Sequence, residues 1–380
     1  MPEKARILLC STAFLPMIGG SEIAIDEITR RLPDIDFDIL TGQLDSKASS
    51  YEKQDNRHIY RVGGALGDAK FILPKFFLPL AVFFKITALA GRNDYRAIHA
   101  FQASQAAGGV WLFRLFNRRR PFIVTVQEGK DLSAQNFLTR QFRQMILRSA
   151  SVITVISGYL GSYAQTINPR ARIEKIPNGV DIARFKPAEK APYRQRLGWA
   201  DTDRIIISIS RLVEKNGVSD LIRAFAKLHP ESSAKLILIG DGPLESELRR
   251  LATELNVSDS VMFTGQMPYE EIHEYLIAAD IFVRPSRSEG LGTAFLEAMA
   301  CGLPVVGTNV GGIPDFLEDG ETGLFCRRAD PQDIAAKINS LLVDPSLRKR
   351  LGERGRKVVE ERYTWDAVAQ SYRNLYDSFA

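Results

Sequence analysis

Two glutamates on either side of a glycine turn have the most distinctive chemistry in this chain. Glu289 stands directly before the turn, and Glu297 follows it in a predicted helix. The residues that could present backbone N–H groups to a ligand at the positive end of that helix are Gly290, Leu291, Gly292 and Thr293. Because a carboxylate can accept hydrogen bonds from two neighbouring hydroxyls, the spacing favours a ligand with a sugar on each side of a diphosphate. For an isolated pair of glutamates, helix capping and surface charge would be the simpler explanation.

Two cations in a second loop suit the same kind of ligand. Arg211 and Lys215 follow a predicted strand and precede a helix, where a planar guanidinium and a mobile ammonium can bind diphosphate oxygens. A solvated loop with an ion pair between Arg211 and Glu214 explains the same residues equally well. A third loop, residues 239–243, ends a strand with glycines and opens a helix at Pro243, a favourable first helical position. A plain strand-to-helix turn is the favoured alternative.

Paired glycines near the N-terminus form a fourth candidate loop. Gly19 and Gly20 lie between the first predicted strand and the first helix, where their N–H groups could reach an anion and Ser21 could cap the helix. A tight turn without a ligand is the alternative. Because the loop is not G-x-G-x-x-G, it gives little support to a dinucleotide cofactor.

Short β-branched runs alternate with helical patterns along most of the chain, and the alternation restarts after Asp203. Two such series predict two doubly wound α/β domains, each with a mostly parallel sheet covered on both faces. Ligands of such sheets bind at the carboxyl ends of the strands, where all four loops lie. A polar, proline-bearing stretch at residues 184–192 separates the predicted domains, residues 1–183 and residues 193–363. A last helix is predicted in residues 364–380.

Composition excludes several classes of protein. The 380 residues suit two domains, with 45% hydrophobic and 25% charged residues. Three dispersed cysteines, and four histidines without H-x-x-x-H spacing, argue against a disulfide scaffold and a zinc site, so no metal is expected. Residues 1–190 hold 27 basic and 17 acidic side chains, a net of +10, and the remainder holds 23 and 28, a net of −5. The basic first domain indicates an anionic partner, and nucleic acid, a membrane surface and a phosphorylated substrate all fit.

An apolar stretch at residues 71–90 has its own alternatives. Fifteen of its 20 residues are apolar, but Lys75 and Lys85 interrupt it and Pro74 and Pro79 break its first half. A helix packed on the core is favoured, an interfacial membrane surface comes second, and a spanning helix is the least favoured interpretation. The N-terminus shows no signal peptide, so a cytoplasmic location is expected. This expectation includes peripheral attachment to the inner face of the cell membrane.

The string from Glu289 through Glu297 to residues 302–304 resembles the signature of the retaining glycosyltransferases of family 4, which have the GT-B fold. Further matches follow in the order that this family shows, at residues 19–22, residues 177–181, Arg211 with Lys215, and residues 240–242, 310–315 and 320–325. The resemblance covers nearly the whole chain, and its C-terminal motifs are the more specific ones. It implies two Rossmann-like domains facing a cleft, with the last helix crossing back to the N-terminal, acceptor-binding domain.

The resemblance also implies a reaction and a role for the matching residues. A sugar would move from a nucleotide-diphosphate donor to an acceptor with retention at the anomeric carbon, without a metal or other cofactor. Arg211 and Lys215 would hold the diphosphate. Glu289 would face the donor sugar, and Glu297 would hold the ribose. The remaining donor contacts implied are Gly19 and Gly20 against the phosphates, Gly242, the residues of the turn after Glu289, and the backbone around Met267 at the base.

One departure from the family pattern lies at Gln127, where many relatives carry a histidine, and Phe101 marks a second such change. Gln127 can bind a sugar hydroxyl but cannot carry a proton near pH 7, so a mechanism with an essential histidine base here is excluded. The leaving phosphate could take the acceptor proton on the same face instead. Glu128 and Asp131 could assist the acceptor, although solvated loop charges explain them at least as well. His99 is interpreted as a hydrogen-bonded core histidine.

Two functions from different classes remain. The first is a retaining, metal-independent hexosyltransferase that uses a UDP- or GDP-sugar and a membrane-associated acceptor, either lipid-linked or a polysaccharide. The second is a nucleotide-sugar-binding protein without transferase activity, which Gln127 motivates. Nucleic-acid binding ranks last, because residues 57–175 hold 18 basic and 5 acidic side chains but no recognisable reading module. The candidates for a membrane-facing cluster are Arg114, Arg118, Arg119, Arg120, Arg140, Arg143 and Arg148.

Overall fold

The computed structural model describes residues 4–17, 19–45, 47–63, 72–127, 136–228 and 234–380, with the backbone alone at residues 72–76. The chain divides into two compact units. The first combines Met1–Gly179 with Trp365–Ala380, and the second is Val180–Thr364. The chain passes from the first unit to the second after Gly179, whereas the sequence pattern predicted a separating stretch at residues 184–192.

A parallel sheet is the centre of the first unit. In the described part of this unit, its strands are β1 (Arg6–Ser11), β2 (Asp36–Gly42), β3 (Tyr51–Gln54), β4 (Arg57–Val62), β5 (Ala97–Phe101), β6 (Phe122–Val126), β7 (Val152–Val155) and β8 (Arg172–Lys175). They are arranged in the order β3-β4-β2-β1-β5-β6-β7-β8, and β3 is antiparallel to β4 while the other pairs are parallel. Because β1 pairs with both β2 and β5, the chain order reverses there, which is where doubly wound sheets bind ligands.

Helices cover this sheet. They are α1 (Gly20–Arg30), α2 (Ile72–Ala90), α3 (Gln105–Phe116), α4 (Phe137–Ser149), α5 (Gly158–Ile167) and, from the end of the chain, α13 (Trp365–Asp377). Trp365, Tyr372 and Tyr376 of α13 are buried in one apolar cluster with Ile25 of α1 and Phe37 of β2. The last helix therefore completes the core of the first unit.

The helix α2 carries apolar side chains on both its buried and its exposed face. Leu78, Val82 and Ile86 are buried, whereas Phe77 and Phe84 are 54% and 66% exposed. The favoured interpretation of this stretch, packing on the core, thus describes one face of the helix, and the opposite face remains exposed. Within the residues described, no helix combines the length and apolarity needed to cross a membrane.

The second unit repeats the architecture with a smaller sheet. Its described strands are β9 (Arg204–Ile209), β10 (Ala234–Ile239), β11 (Val261–Gly265), β12 (Ile281–Arg284), β13 (Val305–Thr308) and β14 (Leu324–Cys326). Their order is β11-β10-β9-β12-β13-β14, and every pair is parallel. Its helices are α6 (Lys190–Leu197), α7 (Val218–Phe225), α8 (Glu245–Glu254), α9 (Ile272–Ala278), α10 (Thr293–Ala300), α11 (Pro331–Val343) and α12 (Pro345–Arg362). The chain order reverses between β9 and β12.

Among the described strands, the sequence pattern did not predict β3, β8 and β14, and the first two share one physical reason. β3 is Tyr-Glu-Lys-Gln and β8 is Arg-Ile-Glu-Lys, and both lie at the edges of the first sheet. Edge strands carry polar and charged side chains because one side of each remains without a neighbouring strand. Periodic burial, the signal used to find strands, is therefore weak in them.

Candidate functional site

The loops after β9, β10 and β11 are bonded to one another at the carboxyl edge of the second sheet. Gly240 N–H donates to the carbonyl oxygen of Gly265 over 2.9 Å. Gly242, at φ +159°, lies so close to the loop after β9 that a Cβ would be 2.4 Å from the Leu212 carbonyl oxygen. Glycine is therefore needed at this close approach. Met267 follows β11 at the same sheet edge and is half-buried.

The predicted phosphate-binding cations lie on a loop that is also bonded to the segment after β12. The N–H groups of Arg287 and Ser288 donate to the Lys215 carbonyl oxygen over 2.6 and 3.3 Å. Asn216, which is buried, donates from its side-chain amide to the Arg211 carbonyl oxygen over 2.7 Å. These bonds fix the backbone of the loop, while the Arg211 side chain is exposed and Lys215 is half-buried.

A third cation at this sheet edge, Arg287, is neutralised by carboxylates. Glu214, the alternative partner expected for Arg211, pairs instead with Arg287 at 2.8 Å. Arg287 also pairs with the buried carboxylate of Asp220 at 3.0 Å. Arg211, whose side chain is exposed, is thus better suited than Arg287 to receive an anionic ligand.

The turn with the first glutamate is held by glycines on both sides. Gly292 precedes α10 with φ +96°, in the left-handed region, and Thr293 begins the helix. Gly311, from the loop after β13, packs on the turn so closely that a Cβ would be 1.8 Å from the Glu289 carbonyl oxygen. The Glu289 carboxylate accepts from the Gly290 N–H over 3.0 Å and is buried.

A buried cluster of charges lies beneath this turn. Arg284, at the end of β12, forms an ion pair with Glu289. Burial raises the pKa of Glu297 to about 7, against the opposing effects of a hydrogen bond from Tyr269 and the charge of Arg284. Burial also lowers the pKa of Arg284 to about 10. The two predicted glutamates therefore share one charged neighbour.

Sequence reasoning missed Arg284 and Tyr269. A signal for Arg284 was present, because a charged residue ends the otherwise apolar run Ile-Phe-Val of β12. Arginine is rarely buried without a partner, so its position at the end of a buried strand indicates a carboxylate nearby. No comparable signal marks Tyr269, which lies in the loop between β11 and α9.

The predicted residues of the first unit lie at the carboxyl edge of its own sheet. Gly19 caps α1, and the Glu22 side chain folds back over it, so that a Cβ on Gly19 would be 2.5 Å from Glu22 Oε2. Burial raises the pKa of Glu22. Gln127, after β6, donates to Asn178 Oδ1 over 3.3 Å. A Cβ on Gly20 would lie 3.9 Å from the Asn178 amide nitrogen, so Asn178 connects Gln127 with the glycine loop.

A second amide in this region was also missed. Gln102 follows β5 with φ +69°, a left-handed conformation that non-glycine residues rarely adopt, and its Nε2 donates to Ser21 Oγ over 3.1 Å. Its neighbour Phe101 is buried and stacks on His99 with ring centroids 4.4 Å apart. Phe101 therefore belongs to the core. Glu128 and Asp131, the other candidates here, lie outside the described residues.

Within the ranges that the structure describes, no three His, Cys, Asp or Glu side chains are grouped so that they could hold a metal ion.

Comparisons with known proteins identify both units. A family model described as Glycosyltransferase Family 4 matches residues 18–184. A second model, described as Glycosyl transferases group 1, matches residues 189–358. Between them the two models span almost the entire chain.

Characterised relatives align over nearly their full length. A GDP-mannose-dependent alpha-(1-6)-phosphatidylinositol monomannoside mannosyltransferase of Mycolicibacterium smegmatis is 30% identical over 372 residues, covering 94% of this chain and 95% of the relative. An N-acetyl-alpha-D-glucosaminyl L-malate synthase of Bacillus anthracis is 29% identical over 366 residues, covering 95% and 94%.

Solved structures with the same architecture include a sucrose-phosphate synthase from Thermosynechococcus elongatus, with a TM-score of 0.86, 24% identity and 99% coverage of both chains. Anabaena HepE, in complex with UDP and glucose, has a TM-score of 0.79 and 20% identity, with 99% of this chain and 100% of that chain covered. At these identities the likeness establishes the fold alone.

Proposed function

Because the chain belongs to glycosyltransferase family 4 and has the GT-B fold, we propose that it is a retaining, metal-independent hexosyltransferase that uses a UDP- or GDP-sugar. The observation that carries this proposal is a set of loops in the second unit that are joined by backbone hydrogen bonds. They bring cations, glycine N–H groups and carboxylates to one sheet edge. The donor class is supported by the name of the Mycolicibacterium smegmatis relative, which is GDP-mannose-dependent, and by the UDP bound to HepE.

The diphosphate of the donor would be bound by Arg211, Lys215 and the start of α10. A guanidinium binds two phosphate oxygens in a planar fork, and an ammonium binds as a point charge. The positive end of α10, where Gly292 and Thr293 leave N–H groups outside the helical bonding, adds partial positive charge. Charge that develops on the leaving phosphate would thus be stabilised by protein groups in place of a metal.

Each of the two glutamates would bind one of the two sugars of the donor. Glu297, on α10, would accept hydrogen bonds from the ribose hydroxyls, and Glu289 would face the transferred sugar. Met267 and the segment after β11 would hold the base, and Gly242 would let the backbone approach the diphosphate.

Transfer with retention needs no histidine base at Gln127. The bond between the anomeric carbon and the phosphate oxygen breaks, and the acceptor oxygen bonds to the same face of that carbon. The acceptor proton passes to the oxygen of the departing phosphate. Gln127 would orient a hydroxyl through its amide, together with Gly19 and Gly20 of the first unit.

We further propose a membrane-associated, anionic acceptor, lipid-linked or polysaccharide, and peripheral attachment of the first unit. Apolar side chains on α2 and α3 support this, because Phe84 is 66% and Phe116 is 82% exposed. The ring of Phe83 lies 6.0 Å from that of Phe116, so the exposed parts of the two helices form one surface. Exposed aromatic groups next to basic ones are typical of interfacial attachment.

Basic side chains lie next to this surface. A cavity of about 450 Å³ between α3 and α4 is lined by Arg114, Arg118 and Arg148 together with Trp111 and Leu115. Burial, reinforced by the charge of Arg118, lowers the pKa of Arg114. Two further arginines of the expected cluster are engaged elsewhere, because Arg143 is buried and Arg120 pairs with Asp94.

The test of transferase activity is product formation from a panel of UDP- and GDP-sugars with membrane extract as acceptor. Release of nucleotide with labelled sugar in the extract is expected for one donor, with the anomeric configuration retained in the product. The alternative, a nucleotide-sugar-binding protein without activity, predicts thermal stabilisation by the same nucleotide and no product. A ligand at 100 times its dissociation constant stabilises by about 2.7 kcal/mol, which thermal denaturation resolves.

A further inference from the structure

We propose that Arg284 is a positioning residue for sugar transfer, which holds the Glu289 carboxylate in one orientation beneath the turn before α10. The inference rests on the proposed function, because it assigns a partner to a glutamate of the donor site. Arg284 does not replace Arg211 or Lys215 as a phosphate ligand, since its charge is already matched by Glu289.

The guanidinium is anchored at every side. Nε donates to Ser286 Oγ over 3.2 Å, and Nη1 lies 3.4 Å from the Ile209 carbonyl oxygen at the end of β9. Its flat face lies over the ring of Phe295, 5.2 Å from the centroid. An arginine fixed by strand, helix and loop at once can present its remaining nitrogen to Glu289 in one geometry.

Stability alone does not explain this pair. The side chains of Arg284 and Glu289 are 9% and 10% exposed, and the three residues before Arg284 in β12 are fully buried and apolar. Replacing a buried ion pair by apolar residues is often neutral or stabilising. Two apolar residues in place of the pair would therefore serve the fold as well, so the ion pair calls for a reason other than stability.

The second glutamate beside Arg284 behaves differently. Glu297 faces the same guanidinium from α10 and accepts from Tyr269, yet burial keeps its pKa near neutrality. The charged residues of the segments bonded next to the turn include Lys215, Arg287 and Asp315. Glu289, in contrast, is paired directly with Arg284 and also accepts from the Gly290 N–H, so these two contacts fix the orientation of its carboxylate.

The test is a double-mutant cycle in the full chain with Arg284→Met, Glu289→Gln and the double variant. Arg284→Met is expected to lower kcat by about ten- to a hundredfold, the range for a lost charge-assisted bond, with donor KM nearly unchanged. The double variant is expected to be no slower than Glu289→Gln, because Arg284 acts only through that carboxylate. Arg284→Lys is expected to recover part of the loss.

The split between kcat and KM separates positioning from general damage. Because Glu289 would face the transferred sugar, loss of its orienting partner is expected to lower kcat and leave donor KM nearly unchanged, whereas general damage to the site would also raise donor KM. Should Arg284→Met fail to fold, the same split is expected, to a smaller extent, in Arg284→Lys.

The same unit offers a matched control. Arg194 and Asp280 form a buried pair at 2.8 Å, 5% and 9% exposed, at the amino ends of β9 and β12. Arg194→Met is expected to lower the melting temperature and leave kcat unchanged. Equal loss of kcat in the two arginine variants, or additive effects in the cycle, would overturn the inference. Full turnover by Glu289→Gln would instead contradict the proposed role of Glu289 in the site.

Discussion

The imidazole Nδ1 of His99, in β5, lies 2.8 Å from the hydroxyl of Tyr376, in the last helix of the chain. The other ring nitrogen lies 2.6 Å from Thr125 Oγ1, so both nitrogens are satisfied inside the core. The prediction of a hydrogen-bonded core histidine is thus confirmed. Burial lowers the pKa of His99 to about 3, which keeps the ring neutral in the folded protein.

Acidification is expected to destabilise the first unit through His99. The folded pKa is below the unfolded value of about 6.5, so the stabilisation is complete above pH 6.5 and is lost as the pH falls toward 3. The slope is about 1.4 kcal/mol per pH unit in that window. Calorimetric melting at pH 7 and pH 5 should show this loss in the wild type and a smaller one in His99→Gln. Parallel losses in both would contradict it.

Arg211→Ala and Lys215→Ala are each expected to reduce kcat/KM by about ten- to a hundredfold, since a charge-assisted hydrogen bond contributes roughly 1.5–3 kcal/mol. Steady-state kinetics with saturating acceptor measure the effect. Arg223→Ala, which removes an exposed arginine from α7, is the control and should leave the kinetics unchanged. Near-wild-type kinetics for both site variants would remove the two cations from the donor site.

Donor binding is expected to depend on pH through Glu297. Because burial raises its pKa to about 7, the carboxylate that accepts from ribose hydroxyls forms only as the pH rises through neutrality. Donor kcat/KM should therefore increase between pH 6 and pH 8 in the wild type. Glu297→Gln should raise donor KM and flatten this limb, whereas Glu289→Gln should mainly lower kcat. The reverse pattern would exchange the roles of the two glutamates.

Chelators are expected to leave transfer intact. Arg211, Lys215 and the start of α10 would supply the positive charge that many transferases take from a divalent cation. Activity measured after dialysis against excess EDTA, with and without added Mg²⁺ or Mn²⁺, checks this. A strict requirement for either ion would contradict the proposal.

Vesicle binding should depend on the surface formed by α2 and α3. Co-sedimentation with anionic vesicles at low salt is expected, weakening as salt shortens the screening length, with no binding to neutral vesicles. Phe84→Ser with Phe116→Ser should abolish it. Val343→Ser, which changes a 70% exposed apolar residue of the second unit, is the control and should bind as the wild type does. Absence of binding at low salt would refute membrane attachment and leave the transferase proposal standing.

The alternation of buried strands and helices was sufficient to predict two doubly wound sheets, because apolar runs such as Ile7–Leu9 have to be covered on both faces. The polar edge strands β3 and β8 lacked that signal. Loop positions in the second unit followed from the strands, so Arg211, Lys215 and Glu289 were expected at one edge, and the structure joins their loops by backbone bonds.

Contacts between side chains distant in sequence were beyond prediction. Tyr269 reaches Glu297 and Asn178 reaches Gln127 only because separate loops meet at a sheet edge. The conformation of Gln102 also escaped prediction, since its left-handed φ depends on the surrounding fold and not on the local sequence.

The position of the last helix affects how the protein folds during its synthesis on the ribosome. The first unit needs Trp365, Tyr372 and Tyr376 to close its core, and these residues are made after the whole of Val180–Thr364. At roughly 5–20 residues per second, the second unit emerges and can fold while the first still has an open apolar groove. Nascent chains, and chains truncated before α13, are therefore the forms that chaperones and proteases should recognise.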